Sequence, residues 1–266
     1  MYLGFKDISV SYGKKEIINN VTLEFEKGKT TTIIGSNGCG KTSLLKTISR
    51  AAKPSSGQVI LEDKPISLYK PKELARKIAY LPQVHYSPSD IDIYTLISYG
   101  RYPYQKFGKG LTQEDADIIK ETIHLTGLDN LQHRTLERLS GGERQRAWIA
   151  MTLCQQPEIL ILDEPITYLD IGHQVDILEL IKQISKQLDI TIVMVLHDIN
   201  LAARYSDKIY SINDKKIYAY GSPNEVITHK VMGDIFNINA QIYEDKRNSC
   251  PFMIAEKKTY QSINPN

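Results

Sequence analysis

The chain has 266 residues, 41% of them hydrophobic and 24% charged, and its formal net charge at pH 7 is +2. This composition is ordinary for a folded globular protein, and the length allows one large domain or two small ones. Because the net charge is small and the lysines and arginines are scattered, nothing in the charge favours binding to nucleic acid, and no nucleic-acid partner is expected.

Cysteine content and hydropathy give an expected setting. The cysteines are Cys39, Cys154 and Cys250. Their odd number and the lack of metal-ligand spacing favour reduced thiols in the cytosol. We expect no signal peptide, because Lys6 and Asp7 interrupt any apolar start. The longest apolar stretches, 159–162 and 192–196, are far shorter than the ~20 residues of a membrane-spanning helix.

The chain opens with two segments that alternate hydrophobic and polar residues, 3–12 and 21–25. This alternation is typical of half-exposed antiparallel strands, which we expect to be joined through residues 13–15.

Residues 30–50 have the pattern of a phosphate-binding loop. A β-branched run at 30–34 predicts a buried strand, residues 35–42 read Gly-Ser-Asn-Gly-Cys-Gly-Lys-Thr, and residues 43–50 predict a helix. Strand, glycine loop and helix form the context in which this Walker A motif binds a nucleoside triphosphate. Backbone N–H groups of the loop and the N-terminus of the helix would face the phosphate oxygens.

Single positions in this loop carry separate expectations. Lys41 would supply positive charge to the β- and γ-phosphates, and the Thr42 hydroxyl would ligate Mg²⁺. Cys39 is interpreted as a small filler beneath the loop. The residues expected to bind the nucleotide here are Gly35, Ser36, Asn37, Gly38, Cys39, Gly40, Lys41, Thr42 and Ser43.

Between Val84 and Gln156 the strand signals stop. Helices are expected over residues 93–101, 113–126 and 141–155. Thr112 is a predicted N-cap, since an acidic first turn follows it. We interpret the region as a helical insertion in an α/β core, because strand signals resume at Ile159.

The sequence Leu-Ser-Gly-Gly-Glu at 139–143 opens the last of these helices. Ser140 is a predicted N-cap, and Gly141 and Gly142 leave backbone N–H groups exposed. One interpretation is an ordinary cap followed by two glycines. The other is a close contact with an anion, because glycine early in a helix costs stability.

Residues 159–163 and 190–196 are nearly continuous apolar or β-branched residues, which is typical of strands covered on both faces. A covering helix is expected over 174–188. Alternating strands and helices predict a parallel-sheet α/β core.

Asp163 and Glu164 follow the first of these strands, as in a Walker B motif. Adjacent carboxylates are usually only solvated charges, but the preceding strand and the Walker A loop favour function, because ligands bind at the carboxyl ends of parallel strands. Asp163 would hold Mg²⁺, directly or through water, and Glu164 would polarise the attacking water as general base.

Together these motifs resemble the ATPase subunit of an ATP-binding cassette (ABC) transporter, from Met1 to about Phe236. The resemblance implies an α/β fold: a phosphate-loop NTPase core with a RecA-like mixed sheet flanked by helices, an antiparallel β subdomain and an inserted α-helical subdomain. The core would span 1–83 and 157–236, and the helical subdomain 84–156. Residues 237–266 are expected to be a short, polar and irregular C-terminal extension.

The resemblance also assigns single residues. Tyr12 matches the aromatic that stacks on adenine. Gln83 matches the glutamine that contacts Mg²⁺ and the attacking water and links to the transporter. His197 matches the switch histidine over the γ-phosphate, and Asp170 the loop that crosses to the partner subunit. For Tyr12 packing, and for His197 a structural role, remain the alternatives.

Partners follow from the same resemblance. Ser140, Gly141 and Gly142 would hold the γ-phosphate of ATP bound to the other subunit, so a head-to-tail homodimer is implied. The dimer would lie peripherally on the cytoplasmic face of the membrane, against integral-membrane permease subunits, and would serve a substrate-binding lipoprotein indirectly.

Three segments, 99–104, 168–174 and 195–205, look most like the ATPases of iron–siderophore and vitamin B12 importers. Cargo inferred from such strings is analogy, since the ATPase does not touch the cargo. An importer of cobalamin, haem or a metal ion remains an alternative. A soluble ABC ATPase acting on DNA or the ribosome is a second alternative, disfavoured because the chain has neither a long heptad insertion nor a second cassette.

A cluster of five tyrosines lies before, within and after the first predicted helix of the insertion. Its members are Tyr86, Tyr94, Tyr99, Tyr102 and Tyr104. Tyrosine is enriched at interface hot spots, so we expect the exposed members, Tyr102 and Tyr104 first, to contact a permease helix. The alternative is internal packing of the helical region.

Overall fold

The computed structural model describes residues 1–84, 90–106 and 108–257. Its strands are β1 (Leu3–Tyr12), β2 (Lys15–Phe25), β3 (Thr30–Gly35), β4 (Ser56–Leu61), β5 (Lys64–Pro65), β6 (Ile78–Leu81), β7 (Ile159–Asp163), β8 (Thr191–Val195), β9 (Lys208–Asn213), β10 (Lys216–Gly221), β11 (Ile238–Asp245) and β12 (Cys250–Lys257). Its helices are α1 (Lys41–Ile48), α2 (Pro71–Lys77), α3 (Ile93–Ser98), α4 (Gln113–Leu125), α5 (Gly141–Cys154), α6 (Ile171–Leu188), α7 (Ile199–Tyr205), α8 (Pro223–Val226) and α9 (His229–Phe236). In this part of the chain, none of the helices combines the length and the hydrophobicity that crossing a bilayer requires.

A six-stranded sheet lies at the centre, in the order β10-β9-β3-β8-β7-β6. The pairs from β9 to β6 are parallel, and β10 joins antiparallel to β9. Consecutive residues point to opposite faces: Ile161 belongs to one core, whereas Leu160 and Leu162 belong to the other. Burial on both faces confirms the expectation drawn from the apolar runs.

The second sheet is antiparallel, in the order β2-β1-β4-β5. Its inner face shares a core with α1 and one face of the central sheet, including Leu44 and Ile33. Phe25 stands at this junction, with its ring centroid 5.8 Å from that of Phe5 and 6.0 Å from that of Tyr210 in edge-to-face geometry. This sheet therefore holds the phosphate loop from the side opposite α5 and α6.

The helices α3, α4 and α5 lie between β6 and β7 in the chain and pack on one another, as predicted. Thr112 caps α4 as predicted: its hydroxyl accepts a hydrogen bond from the Asp115 N–H at 3.2 Å. Arg101, buried beside this helix, donates from Nε to Asp115 at 2.8 Å and from Nη1 to the Cys154 carbonyl at 2.9 Å. Residues 100–103 read Gly-Arg-Tyr-Pro. The arginine of this sequence has a structural role, because it joins the start of α4 to the end of α5.

The expectation of an irregular chain after residue 237 was wrong for residues 238–257. Strands β11 and β12 form an antiparallel hairpin. Ala240 and Cys250 of this hairpin join the helix-side core. The Asn200 amide donates to the Met253 carbonyl at 3.1 Å and accepts from its N–H at 2.7 Å. Ile238, Ile242 and Met253 also pack against this core, so the hairpin has an inward face that the sequence analysis missed.

All three cysteines are free thiols. Cys154 and Cys250 are buried, and Cys39 is half-buried. Burial raises the pKa of Cys154 to about 11 and also raises the pKa of Cys39 and of Cys250. Thiols held in the protonated form are poor nucleophiles, so none has the character of a reactive cysteine.

Candidate functional site

A cleft of about 770 Å³ opens at the carboxyl ends of the central parallel strands. Ligands of parallel sheets bind at this edge. Its lining comes from the hairpin of β1 and β2, the loop after β3, the start of α1, and the segments that follow β6, β7 and β8. The lining residues are Lys15, Ile17, Asn37, Gly38, Gly40, Lys41, Thr42, Ser43, Gln83, Glu164, Thr167, Tyr168 and His197.

The phosphate loop is shaped by its packing as well as by its turn. Gly40 caps α1 with φ of 105°, a left-handed conformation, and a Cβ there would lie 2.7 Å from Ile18 Cδ1. Glycine is required on both counts. Lys41 is buried, and its Nζ donates to the carbonyls of Gly35 at 2.9 Å and Ser36 at 3.0 Å.

Most of the predicted loop residues reach the cleft. Gly35, Ser36 and Cys39 are not among the lining residues in the described structure. Cys39 instead packs against the core beneath the loop, which agrees with its interpretation as a filler.

Two oxygen groups that the sequence assigns to Mg²⁺ lie in contact: Thr42 lines the cleft, whereas Asp163 is buried and is not among the lining residues of the described structure. The Thr42 hydroxyl donates to Asp163 Oδ1 at 2.9 Å, and the Tyr80 hydroxyl donates to Asp163 Oδ2 at 3.1 Å. Burial raises the pKa of Asp163, and the hydrogen bonds from Thr42 and Tyr80 oppose that rise. Tyr80 was missed, although its position in the strand before Gln83 places it beside the Walker B strand.

The hydroxyl of Thr42 and the carboxylate of Asp163 are a donor set suited to a magnesium ion. Among the described residues no group of three or more His, Cys, Asp and Glu could hold a metal unaided. Mg²⁺ in nucleotide sites is bound by one or two protein oxygens, with phosphates and water completing its shell. The adjacent hydroxyl and carboxylate of Thr42 and Asp163 fit that requirement.

Glu164 is the most constrained side chain of the cleft. Its Oε1 lies 2.6 Å from His197 Nε2, and its Oε2 accepts from Gln83 Nε2 at 2.6 Å and from the Thr167 hydroxyl at 3.1 Å. Its backbone has φ of 54°, a left-handed conformation that is costly outside glycine and often found at functional sites. The structure thus brings together three residues that the sequence predicted separately. Thr167 was missed, although it lies in the turn three residues after Glu164.

Tyr12 ends β1 and is 52% exposed. Its ring is not among the lining residues of the cleft, whereas Lys15 and Ile17 of the next strand are. The stacking role of Tyr12 stays a prediction.

The residues Ser140, Gly141 and Gly142 begin α5 and, in the described structure, do not line the cleft of their own chain. Ser140 is the predicted N-cap, in a capping box: its hydroxyl accepts from the Glu143 N–H at 3.2 Å, and its N–H donates to Glu143 Oε2 at 2.8 Å. These hydrogen bonds lower the pKa of Glu143.

The two glycines of this turn differ in their packing, since only Gly142 has no room for a side chain. A Cβ on Gly142 would lie 1.9 Å from His173 Cδ2, and a Cβ on Gly141 would lie 3.4 Å from Leu169 Cδ2. His173 therefore gives Gly142 a packing reason, and the contact of this turn with an anion stays a prediction.

Asp170 is the N-cap of α6. Its Oδ1 accepts from the His173 N–H at 2.9 Å, and its Oδ2 lies 2.8 Å from His173 Nδ1. The backbone hydrogen bond from His173, followed by the ring contact, lowers the pKa of Asp170. Tyr168, at 92%, and Ile171, at 81%, are the exposed hydrophobic residues that flank this loop.

The tyrosine cluster is divided in the structure. Tyr86 lies outside the described residues, and Tyr94 packs against the core. Tyr99 and Tyr102 are exposed. The expectation that Tyr104 is exposed was wrong. Tyr104 is half-buried, because its hydroxyl donates to the Gln155 carbonyl at 3.1 Å and its ring lies 3.9 Å from the guanidinium of Arg101.

Comparisons with known proteins agree with the motifs. The family model described as ABC transporter matches residues 18–167. The petrobactin import ATP-binding protein FpuD of Bacillus anthracis is 43% identical over 253 residues, which cover 95% of this chain and 93% of that protein. The iron(3+)-hydroxamate import ATP-binding protein FhuC of Bacillus subtilis is 42% identical over 250 residues, covering 94% of this chain and 93% of that protein.

A solved structure is also similar: the ATP-binding cassette MJ0796, a dimer in a post-hydrolysis state bound to ADP and Pi. Its TM-score is 0.71 at 25% identity, and the match covers 83% of this chain and 98% of that one. The predicted phosphate-loop NTPase fold and the predicted resemblance are confirmed. The chain belongs to the ABC transporter family, among its ATP-binding proteins.

Proposed function

We propose that this chain is the ATP-binding and ATP-hydrolysing subunit of an ABC importer that takes up iron–siderophore complexes. The observation that carries hydrolysis is the Glu164 carboxylate, fixed by Gln83, Thr167 and His197 in the same cleft as the phosphate loop. The cargo is supported by the relatives, whose names specify import of petrobactin and of iron(3+)-hydroxamate. An importer of cobalamin, haem or a metal ion is the alternative, because the same ATP site would serve any of these cargoes.

The residues of the cleft have separate roles in binding and hydrolysing ATP. The loop N–H groups and Lys41 bind the β- and γ-phosphates of ATP, with the adenine against Tyr12. Glu164 accepts a proton from the water that attacks the γ-phosphorus, and the bond to the β-phosphate oxygen breaks to give ADP and phosphate. His197 holds the γ-phosphate.

Thr42, Asp163 and Gln83 are the residues that would hold Mg²⁺, which when bound neutralises charge on the phosphates. The Thr42 hydroxyl and the Asp163 carboxylate already lie in contact at 2.9 Å, so their oxygens need no large movement. Both elements that carry them, α1 and β7, are buried parts of the core.

The working unit is a head-to-tail homodimer. Ser140, Gly141 and Gly142 lie outside the cleft of their own chain, so they would complete the cleft of the partner, with the loop at Asp170 crossing between them. The dimer lies peripherally on the cytoplasmic face of the membrane against two permease subunits, and it serves a substrate-binding lipoprotein through them. The core (1–83 and 157–236) binds ATP, the helical subdomain (84–156) carries the partner-facing turn, and residues 237–266 are a short C-terminal extension, of which 238–257 form the hairpin.

The test is ATP hydrolysis and uptake by the same variants. Wild-type chain should hydrolyse ATP only with Mg²⁺, and Lys41→Ala should lose hydrolysis, while Lys246→Ala, an exposed lysine outside the cleft, should keep it. In cells lacking this chain, wild type and Lys246→Ala should restore uptake of iron–siderophore, and Lys41→Ala should not. Restored cobalamin or haem uptake instead would change the cargo, and hydrolysis without any uptake phenotype would favour a soluble ABC ATPase.

A further inference from the structure

His173 contacts both the loop at Asp170 and the start of α5, which the family motifs treat as separate segments. Its Nδ1 lies 2.8 Å from Asp170 Oδ2, and its own N–H donates to Asp170 Oδ1 at 2.9 Å. Asp170, in the loop (residues 168–170) that precedes α6, thereby holds His173 through its backbone and through one ring nitrogen. An Nδ1–H that donates to the carboxylate fixes the orientation of the ring.

The other side of the ring covers the start of α5. A Cβ added to Gly142 would lie 1.9 Å from Cδ2, 2.7 Å from Cγ and 2.8 Å from Nε2 of His173. The imidazole ring is therefore in van der Waals contact with the helix backbone at Gly142. No substituent larger than hydrogen fits there without movement of the ring. Gly142 is buried by this contact, whereas Gly141 beside it is exposed.

A second side chain of the same segment supports the contact. Leu169 approaches Gly141, where a Cβ would lie 3.4 Å from its Cδ2, and the Leu169 carbonyl accepts from the Gln174 amide at 3.1 Å. Leu169 thus touches the first glycine of the turn, and His173 touches the second. The turn and the Asp170 loop are joined by these contacts outside the cleft.

We propose that His173 is a positioning residue that fixes the Asp170 loop to the start of α5, so that both meet the partner's nucleotide as one unit. The proposal rests on the proposed function, because it needs the head-to-tail dimer. It predicts that loss of His173 leaves the cleft of the single chain intact and weakens the composite site formed between two chains.

Three substitutions separate the two contacts of the ring. His173→Asn keeps a donor near Nδ1 for Asp170 and removes the ring from Gly142. His173→Phe keeps a ring over Gly142 and removes the donor, and His173→Ala removes both. The control is His124→Ala, because His124 is also an exposed histidine beside an aspartate, 3.2 Å from Asp129, but on another helix.

The measurement is ATP-dependent dimer formation by sedimentation, made in a Glu164→Gln background that does not turn ATP over. Binding of a fluorescent ATP analogue to the dilute single chain is measured alongside. His173→Ala should keep single-chain affinity within about twofold and raise the dimer Kd about tenfold or more. His173→Asn and His173→Phe should each recover part of the loss, and His124→Ala should match the background.

A double-mutant cycle tests the contact itself. Gly142→Ala should lower the melting temperature, and His173→Ala in the same chain should relieve part of that loss, because it removes the atoms that the new methyl group meets. Additive effects would contradict the packing.

The outcomes separate the two proposals. If the Glu164→Gln chain binds ATP and dimerises, but His173→Ala dimerises equally well, the positioning role is refuted and the proposed function stands. Failure of the Glu164→Gln chain to bind ATP or to dimerise with it would refute the proposed function first. An equal loss of single-chain ATP affinity and dimerisation in His173→Ala would also refute positioning, since it would indicate general damage to the fold.

Discussion

Arg101 and Asp115 form a buried ion pair, with Nε 2.8 Å from Oδ1 and side chains only 3% and 7% exposed. Arg101 also donates to the Cys154 carbonyl at the end of α5, and Asp115 accepts from the Thr112 N–H at the start of α4. The pair therefore ties both helices to the segment after α3. Because the ends of α4 and α5 depend on it, the position of the whole helical region depends on it too.

Arg101→Leu should destabilise the fold by about 3–5 kcal/mol, since removal of one partner leaves the other charge buried and unpaired. The measurement is urea unfolding of the purified chain. Arg138→Leu, at an exposed arginine in the same region, should change stability by less than about 0.5 kcal/mol. The double variant Arg101→Leu with Asp115→Ala should cost less than the sum of the single changes. A loss below about 1 kcal/mol for Arg101→Leu would contradict the role of the pair.

The same pair predicts an acid-sensitive component of stability. Burial alone would raise the pKa of Asp115, but hydrogen bonds from Thr112 and Arg101 outweigh it and bring the pKa below 3.8. A carboxyl group with a lowered folded pKa contributes stability above its unfolded pKa, and loses it as pH falls through the folded value. The stability difference between wild type and Asp115→Asn should therefore shrink below about pH 4. A constant difference across unfolding curves from neutral to acid pH would contradict this.

Glu164→Gln should keep ATP binding, trap the ATP-bound dimer and cut turnover by ~10²–10⁴-fold, because an amide cannot accept the proton of the attacking water. Steady-state phosphate release and nucleotide binding check the two parts. Glu244→Gln, on the exposed C-terminal hairpin, is the matched control and should behave as wild type. Near wild-type turnover by Glu164→Gln would remove Glu164 from the role of base.

Mixed dimers test whether Ser140 acts on the partner's nucleotide. Lys41→Ala and Ser140→Arg chains should each be inactive alone. Mixed one to one, half of the dimers contain one site lacking both residues and one site lacking neither, so activity should return to about a quarter of wild type. No recovery on mixing, or a rate linear in concentration with no ATP-dependent dimer, would contradict the composite site.

Tyr102 and Tyr104 separate docking from packing. Tyr102 is 68% exposed, whereas the Tyr104 hydroxyl is bonded to the Gln155 carbonyl. Tyr102→Ala should weaken co-purification with the permease and reduce iron–siderophore uptake, with an unchanged melting temperature and unchanged ATP binding. Tyr104→Ala should lower the melting temperature. If Tyr102→Ala assembles and transports normally, the docking surface lies elsewhere.

Local sequence patterns predicted the residues of the site better than they predicted the long-range contacts that hold the surrounding helices in place. The loop at Gly40, the caps Thr112 and Ser140, and the carboxylate Asp163 depend on neighbours in sequence, and the structure places each at the expected element. The contacts of Arg101 reach residues 14, 53 and 55 positions away, which no local pattern reports. Long-range packing is what the motifs could not give.

The edges of strands show the same limit. Strand β2 begins at Lys15, whereas the alternation predicted a strand only from residue 21. The register between β2 and β1 shifts near Asn20, whose φ is 49°. A shift of register moves the following side chains to the other face, so the period-two pattern is broken over residues 15–20. The hairpin after residue 237 was missed although Ile238, Ala240 and Ile242 alternate toward the core, because the polar residues around them make the whole segment look irregular.

The protonated, sheltered state of the three native thiols makes the chain suitable for site-specific labelling. A maleimide reacts with thiolate, so a new cysteine at an exposed position should be labelled long before Cys39, Cys154 or Cys250. Tyr168, which is 92% exposed and is one of the residues that line the cleft, is such a position. A single fluorophore there could follow the approach of two chains in real time, without first building a cysteine-free background.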